Sequence, residues 1–291
     1  MALLDAFRQW LIEDGKSPKT IESYCNDVKQ FQLYLVEKVA DENQPLSRFS
    51  FVRYKQYMLD ENLKISTINK KVNSLKVFND FLQMKGLVRK NFIQLRKDRV
   101  PIANGSEKVV EALTDGEVER VLAYVQDDLK VSIRNRLIVH TLLYTAVRVS
   151  ELINIKHVDI EPLTSTLTVR GKAGKVREIG IRNDLMELMK IYQAGERKES
   201  KYHDSEYLFV TQRSPKMHRD AVRNWLAKIS DDIGMKLYPH LFRRTCATLL
   251  LRRGVPVVTV SKILGHYSVE LTSKTYIQTS RADKQSALDL L

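Results

Sequence analysis

The sequence has only two cysteines and no long apolar run, and each shortage narrows the possible functions. Cys25 and Cys246 lie in apolar patterns with helical spacing, so two buried free thiols are expected rather than a disulfide. A stretch of about 18 apolar residues would predict a membrane-spanning helix, and the sequence contains none. The first residues also lack a charged leader followed by an apolar core. A soluble, cytoplasmic protein is therefore expected.

Metal-ligand spacings such as C-x-x-C and H-E-x-x-H are missing too, as are internal repeats. No metal site and no cofactor are predicted from such a sequence. Positive charge is abundant instead, with 48 Lys and Arg against 35 Asp and Glu, a net charge of +13 and a pI near 9.6. This balance favours a polyanionic partner, although a ribosome-associated or membrane-surface protein would fit it almost as well.

The length of 291 residues suits two domains. Residues 1–96 have the pattern of four helices, and residues 97–111 lose that pattern around Pro101 and Gly105. We predict a helical N-terminal domain, a linker at 97–111 and a second domain at 112–291. The first helix ends near Gly15, the second is capped by Ser17, the third covers 46–62, and the fourth is capped by Ser66 and ends at Gly86.

The second domain begins with the capping-box pattern Thr114–Glu117. Two alternating runs around a glycine-containing turn predict a β-hairpin over 165–181. A helix over 184–193, a strand over 207–210 and four further helices are expected downstream, the last of them after Tyr276. Lys172 and Lys175 lie at the hairpin tip, where an ammonium group can reach a neighbouring site. A solvated turn is the ordinary alternative for such lysines.

The most informative residues are His240, Arg243, His266 and Tyr276, which follow one another in an apolar, helical context. Two imidazoles, a guanidinium and a phenol are suited to attack on a phosphodiester, because fixed cations stabilise its developing negative charge. Singly, each has an ordinary explanation, such as a helix cap or core packing. Arg148, a second arginine in an apolar segment, needs an anionic partner, and a buried ion pair with Glu151 or another acid is the alternative to a phosphate.

Together these motifs resemble the tyrosine recombinase (phage integrase and Xer-like) family over nearly the whole chain. The resemblance rests on T-A-V-R-V-S-E-L at 145–152, G-K-A-G-K-V-R at 171–177, H-L-F-R-R-T at 240–245, L-G-H at 264–266 and the tyrosine that follows. It implies a mainly α fold with two domains. The N-terminal domain would be a four-helix, SAM-like core-binding domain, and the C-terminal catalytic domain would be mixed α+β with a small antiparallel sheet.

The resemblance also implies a function: a site-specific recombinase that joins DNA to Tyr276 through a 3′-phosphotyrosyl bond, without metal or ATP. The partners would be a double-stranded recombination site and other copies of the chain, as a dimer on one site and a tetramer in synapsis, near the nucleoid and not on a membrane. A type IB topoisomerase-like enzyme and a non-catalytic DNA-binding regulator are the alternatives. The implied catalytic residues are Arg148, Lys172, His240, Arg243, His266 and Tyr276, and the expected DNA contacts are Lys70, Asn73, Lys76, Lys175, Arg177 and Arg244.

Three positions depart from the family pattern. Ala146 replaces a usual glycine, which is expected to be tolerated if the backbone there is helical. Arg244 occupies a position where histidine is common, so a secondary phosphate or proton contact is expected to differ. Ten positions separate His266 from Tyr276, one more than is usual in Xer-like members. Tyr267 is the rival nucleophile and is expected to pack in the turn after His266.

Overall fold

The computed structural model describes residues 2–39, 45–101, 111–171 and 174–276. The chain forms two compact units, Met1–Ser106 and Glu107–Leu291, which are described separately. The molecule is mainly helical with one three-stranded antiparallel sheet, as the sequence predicted. Within the described ranges, no helix is long and apolar enough to cross a membrane.

The N-terminal unit is helical. Ser17 caps its second helix by accepting the N–H of Thr20, and Pro18 is that helix's first residue, as predicted. The predicted cap at Ser66 is wrong, because the N–H of Ile68 already bonds to the carbonyl of Lys64 and the helix begins earlier. The helices are α1 (Ala2–Glu13), α2 (Pro18–Tyr34, continued by a π-helical turn at Leu35–Val39), α3 (Arg48–Asp60), α4 (Ile65–Met84) and α5 (Leu95–Asp98).

The apolar faces of these helices meet in one core. Phe7 of α1 packs edge-on against Phe78 of α4, with ring centroids 5.1 Å apart, and Phe81 lies beside both. Cys25 is buried here as a free thiol, as predicted. The first residues of the predicted linker also belong to this unit, since Asn69 of α4 bonds to both the N–H and the carbonyl of Val100.

The C-terminal unit surrounds a buried helix, α7, which packs against α9 and α11. The predicted hairpin is confirmed, with Leu167 paired to Ile179, and a short strand that was not predicted extends its sheet. The elements are α6 (Asp115–Val125), α7 (Ile133–Thr145), α8 (Val149–Leu152), a 3-10 turn (His157–Asp159), β1 (Ile160–Glu161), β2 (Thr166–Arg170), β3 (Val176–Gly180), α9 (Asn183–Ala194), α10 (Arg219–Ile233), α11 (Pro239–Arg252), α12 (Val257–Leu264) and α13 (Val269–Tyr276).

The predicted strand at 207–210 is wrong. Tyr207 makes a single bridge to Lys156 and no ladder follows. The buried guanidinium of Arg197 donates to the carbonyls of Ser205, Tyr207 and Leu208, so a side chain satisfies acceptors that a neighbouring strand would otherwise bond. The apolar run is still buried, because Leu208 and Phe209 lie in the core of this unit. Four helices follow, but the last ends at Tyr276, and a helix after the tyrosine lies outside the described residues.

Candidate active site

Arg148 occupies the N-cap position of α8 and is paired with Glu151 one turn later. Its backbone N–H and its Nη1 each donate to the Glu151 carboxylate at 2.8 Å. Burial alone would raise the pKa of Glu151, but hydrogen bonds from Arg177 and Arg148 outweigh it and lower the pKa to about 2. The ion pair considered as the alternative is therefore present. The Arg148 side chain nevertheless remains 39% exposed, so the pair does not remove it from a substrate.

Arg243, in the second turn of α11, is the most deeply placed cation of the site and is only 2% exposed. Its Nη1 donates to the carbonyl of Ala146 at 2.5 Å, and its Nη2 donates to that of Leu264 at 2.6 Å. Burial, followed by the nearby charge of Arg148, lowers its pKa to about 10. The guanidinium stays positive at neutral pH and is held by backbone groups, not by a carboxylate.

Ala146 does not have a helical backbone, which was the condition under which alanine was expected to be tolerated there. It ends α7 in the left-handed conformation, with φ 52° and ψ 24°. Alanine is disfavoured there because its Cβ approaches the backbone, whereas glycine is not. This conformation supplies a physical reason for glycine at the corresponding family position. It also turns the Ala146 carbonyl toward Arg243.

His266 follows the glycine that ends α12 and is fixed by α13. Its Nδ1 shares a 2.8 Å hydrogen bond with the hydroxyl of Thr272, which is fully buried. Burial and the nearby arginines, first Arg243 and then Arg148, lower the pKa of His266 to about 4. The imidazole is therefore neutral near pH 7. A substrate contact would use Nε2, because Thr272 already binds Nδ1.

Tyr276 ends α13 and lies against His266, with ring centroids 6.4 Å apart and an interplanar angle of 15°. It packs on a small apolar cluster of Ala146, Cys246, Ala247, Val260 and Leu264. Burial raises the pKa of Tyr276, while Arg243 and Arg244 act in the opposite direction. The phenol is therefore protonated at neutral pH and needs a proton acceptor in order to attack.

Tyr267 differs sharply from Tyr276. Its side chain is 88% exposed, so the expectation that it packs in the turn is wrong. It lines a cleft of about 790 Å³ together with Arg148, Lys175 and His266. Exposure alone does not make a phenol reactive, and Tyr267 remains the rival to be tested.

His240 is the second residue of α11, at the start of the helix, where the sequence placed it. Desolvation and the neighbouring Arg243 and Arg244 lower its pKa. Arg244 is close enough to Tyr238, His240 and Tyr276 to affect the pKa of each. The structure thus brings His240 and Arg244 to the same region as Arg243, without a direct contact between the two histidines among the hydrogen bonds of the described residues.

The hairpin tip reaches this region from the sheet. The Nζ of Lys175 donates to the carbonyl of His266 at 3.2 Å, as an approach to a neighbouring site would require. Lys172, the implied general acid, lies outside the described residues.

Arg177 is paired inside the C-terminal unit, which the sequence did not predict. It was predicted as a DNA contact, but its side chain is 10% exposed and donates to both oxygens of Glu151 at 3.1 and 2.9 Å. The alternation of β3 contained the signal, since Arg177 and the buried Ile179 share the inward face of that strand.

The three predicted DNA contacts on α4 all have partners inside the N-terminal unit. Lys70 pairs with Asp27 at 2.9 Å, Lys76 pairs with Asp80 at 2.5 Å, and the Asn73 side chain accepts from Arg99 at 2.8 Å. The Lys76–Asp80 pair is partly exposed and is worth little to stability, whereas Asp27 is buried, so the pair that holds Lys70 is not a weak surface pair. Contact between these residues and DNA therefore stays a prediction.

A metal centre is not formed by the residues that the structure describes, among which no group of three or more His, Cys, Asp and Glu is placed to hold an ion. The polar groups of the site are cations, imidazoles, phenols and a single carboxylate, Glu151, which is already paired with Arg148 and Arg177. Such a set suits an anionic phosphate better than a metal ion.

Comparisons with known proteins cover both units. The model of the phage integrase family matches residues 111–283, and that of the phage integrase N-terminal SAM-like domain matches residues 4–86. The chain is 30% identical over 291 residues to tyrosine recombinase XerA of Pyrococcus furiosus, covering 99% of this chain and 93% of the relative. It is 28% identical over 296 residues to tyrosine recombinase XerC of Pediococcus pentosaceus, covering 99% and 96% respectively.

The fold of this chain also resembles that of a protein whose structure was solved with DNA. The Tn1549 transposon integrase bound to circular intermediate DNA matches with a TM-score of 0.75 and 19% identity, over 98% of each chain. Three findings point to the same family: a family model matches in each unit, two relatives match over nearly their full length, and the motifs of the sequence lie close to Arg243. The chain therefore belongs to the phage integrase family of tyrosine recombinases.

Proposed function

We propose that the chain is a site-specific DNA recombinase that cleaves and rejoins strands through a covalent bond between Tyr276 and a 3′-phosphate. The observation that carries the proposal is the position of Arg243. It binds one carbonyl two residues before Arg148 and another two residues before His266. One buried cation thus ties together the segments that bear a second arginine and a neutral imidazole, with Tyr276 stacked on that imidazole.

The chemistry needs positive charge around the phosphate and a path for one proton at each end. Arg148 and Arg243 stabilise the non-bridging oxygens as negative charge develops on them. The oxygen of Tyr276 forms a bond to phosphorus as the bond from phosphorus to the 5′-oxygen breaks. The phenolic proton passes to an imidazole, and Lys172 protonates the departing 5′-oxygen.

The neutral state of His266 fits the role of proton acceptor. Its pKa of about 4 is set by burial and the surrounding arginines in the free protein. A bound phosphate places a negative charge beside the same arginines, which raises the pKa of the imidazole and makes it a better base. His240, exposed at the start of α11, is a second hydrogen-bond donor for the phosphate.

The partner is double-stranded DNA carrying a recombination site, and the active form is an assembly of copies on two such sites. The net charge of +13 supports a polyanionic partner. Fold neighbours were solved on DNA, among them the Tn1549 transposon integrase and the XerH recombinase bound to its difH substrate. Each phosphotyrosyl bond preserves the energy of the bond it replaces, so a 5′-hydroxyl from another duplex completes exchange without ATP.

The test begins with mapping. The purified protein is incubated with labelled DNA from the region that flanks its own gene, denatured, and examined for labelled protein and for the position of the nick. A labelled adduct with a free 5′-hydroxyl is expected, and a plasmid with two copies of the mapped site should then recombine. Relaxation of supercoils without exchange would instead identify a topoisomerase-like enzyme, and binding without any adduct a regulator.

A further inference from the structure

Arg177 is bound by protein groups through all three of its guanidinium nitrogens. Its Nη1 and Nη2 form a two-point contact with the Glu151 carboxylate, and its Nε donates to the carbonyl of Ile263 at 2.9 Å. The side chain therefore joins β3 to the α8 segment that bears Arg148 and to the α12 segment that precedes His266. Each of the three guanidinium nitrogens donates to a protein acceptor, and the side chain is only 10% exposed, which leaves little of it for DNA.

The side chain of Arg177 passes directly beside Gly265. A Cβ added to Gly265 would lie 2.9 Å from the Cδ of Arg177 and 3.0 Å from its Nη1. A side chain at 265 would therefore force Arg177 to shift, and φ of +63° at this position already favours glycine. The residue directly before His266 is thus shaped to let Arg177 reach Glu151.

The charges around Glu151 indicate what the pairing of Arg177 with this carboxylate does. Glu151 is 6% exposed and binds two guanidinium groups, those of Arg148 and Arg177. With Arg148 alone, the carboxylate would cancel the very charge that a phosphate needs. The second arginine compensates the carboxylate, so one positive charge remains in excess, and the exposed member of the trio is Arg148.

We propose that Arg177 is a positioning residue that neutralises Glu151, so that Glu151 fixes the geometry of Arg148 without cancelling its charge toward the scissile phosphate. This inference rests on the proposed function. It assigns Arg177 an indirect role in place of the direct DNA contact expected from the sequence.

The central test is a rescue. Rates of adduct formation are measured in a single turnover at saturating concentration of the duplex on which the wild type forms its adduct. Arg177→Gln leaves Glu151 paired with Arg148 alone and is expected to slow the adduct about a hundredfold. Adding Glu151→Gln removes the uncompensated carboxylate, and the double variant is expected to be at least about tenfold faster than Arg177→Gln. A double variant no faster than the single one overturns the proposal.

A charge-retaining variant provides a second test that does not depend on Arg177→Gln folding. Arg177→Lys keeps the positive charge beside Glu151 and loses the two-point geometry. It is expected to stay within about tenfold of the wild type. A folded Arg177→Lys protein that is a hundredfold slower would show that geometry, not charge compensation, is what Arg177 supplies.

Arg197→Gln is the matched control, because it removes another buried arginine of the same unit that binds only backbone carbonyls. It is expected to lower the melting temperature without changing the adduct rate at temperatures where the protein is folded. If instead it slows the adduct as much as Arg177→Gln does, loss of any buried arginine explains the effect and the proposal fails. Absence of an adduct from the wild type would contradict the proposed function itself, which separates the two failures.

Discussion

Arg243 donates a 2.5 Å hydrogen bond from Nη1 to the carbonyl of Ala146, a residue held in the left-handed region with φ 52°. The side chain that would bind phosphate is therefore oriented by a strained turn of the main chain. Because Nη2 is bound to Leu264 at 2.6 Å, the guanidinium is fixed in its plane before any substrate arrives. Such preorganisation lowers the cost of charge stabilisation during the reaction.

Ala146→Gly is expected to leave the free energy of unfolding within about 1 kcal/mol of the wild type. Relief of the left-handed strain contributes about 1–2 kcal/mol, while loss of a buried methyl costs about 0.8 kcal/mol and the freer unfolded chain costs about 0.4–1 kcal/mol. Ala146→Val should destabilise by more than about 2 kcal/mol, because a β-branched side chain tolerates this conformation poorly. Urea unfolding, followed by Trp225 fluorescence in a Trp10→Phe background, measures both.

Ala247→Gly is the matched control for this prediction. Ala247 is equally buried and lies in the same small apolar cluster, but it sits inside α11. The same change there loses a methyl and also about 1 kcal/mol of helix propensity, so a total cost of about 2 kcal/mol is expected. Equal costs at 146 and 247 would show that the left-handed turn stores no strain.

Tyr276→Phe should abolish the covalent DNA adduct and leave DNA affinity nearly unchanged. The substitution removes the nucleophilic oxygen and keeps the ring that packs against His266. Denaturing gels of the labelled complex measure the adduct, and a gel shift on the same duplex measures binding.

Tyr267→Phe is the control, since Tyr267 is the exposed phenol beside His266. It should retain the adduct. An adduct that persists in Tyr276→Phe and vanishes in Tyr267→Phe would reverse the assignment.

Much of the fold could be predicted from the sequence, because it depends on short local patterns of residues. The Ser17 cap, the hairpin and the buried cysteines each depend on a few neighbouring residues, and all are present. The predicted strand at 207–210 does not form, because carbonyls of this segment bond to the side chain of Arg197, in the turn after α9, and not to a neighbouring strand. An apolar run predicts burial, but it does not say what satisfies the backbone.

In the active site, too, the sequence predicted which residues take part but not all of their contacts. Motif order named Arg148, His266 and Tyr276, and the structure brings them to one region around Arg243. The pairing of Arg177 with Glu151 was not predicted, because it joins residues 26 positions apart in sequence, and the left-handed backbone at Ala146 was not predicted either. Tyr267, expected to pack, is exposed, since nothing in the turn after Gly265 covers it among the described residues.

Cleavage is expected to continue in excess EDTA. The proposed chemistry draws its positive charge from Arg148, Arg243 and Lys172, and the described residues near them offer no carboxylate cluster for a metal ion. The measurement is the rate of adduct formation before and after chelation, with a magnesium-dependent nuclease as the control that the chelator works. A strict magnesium requirement in the cleavage step would contradict the mechanism.

Lys172→Ala should slow cleavage severely on an ordinary phosphodiester and recover on a substrate with a 5′-bridging sulfur. A thiolate leaves without a proton, so the loss of a general acid matters little on that substrate. Lys175→Ala is the matched variant from the same hairpin tip, where its ammonium binds the carbonyl of His266. Any defect it causes should be equal on both substrates. Selective rescue of Lys175→Ala would exchange the two roles.

Deletion of residues 282–291 should leave binding to a single site intact and abolish recombination between two sites. The segment lies outside the described residues, and its sequence ends in an apolar set, Ala287, Leu288, Leu290 and Leu291. A helix this short is not stable by itself in water, so its apolar side chains need a surface to dock on. Docking on a neighbouring copy would make the placement of Tyr276 depend on assembly, and cleavage would then require the assembled complex.

Two full-length variants separate the apolar contacts from the length of the tail. Replacement of Leu288, Leu290 and Leu291 by serine should reproduce the deletion, because it removes the apolar surface and keeps every backbone group. Lys284→Ala changes a polar residue of the same segment and should recombine like the wild type. Gel shifts on one site and recombination of a two-site plasmid measure the two activities. If the truncated protein recombines two sites at the full rate, the tail does not couple the copies, and docking on its own domain is the remaining explanation.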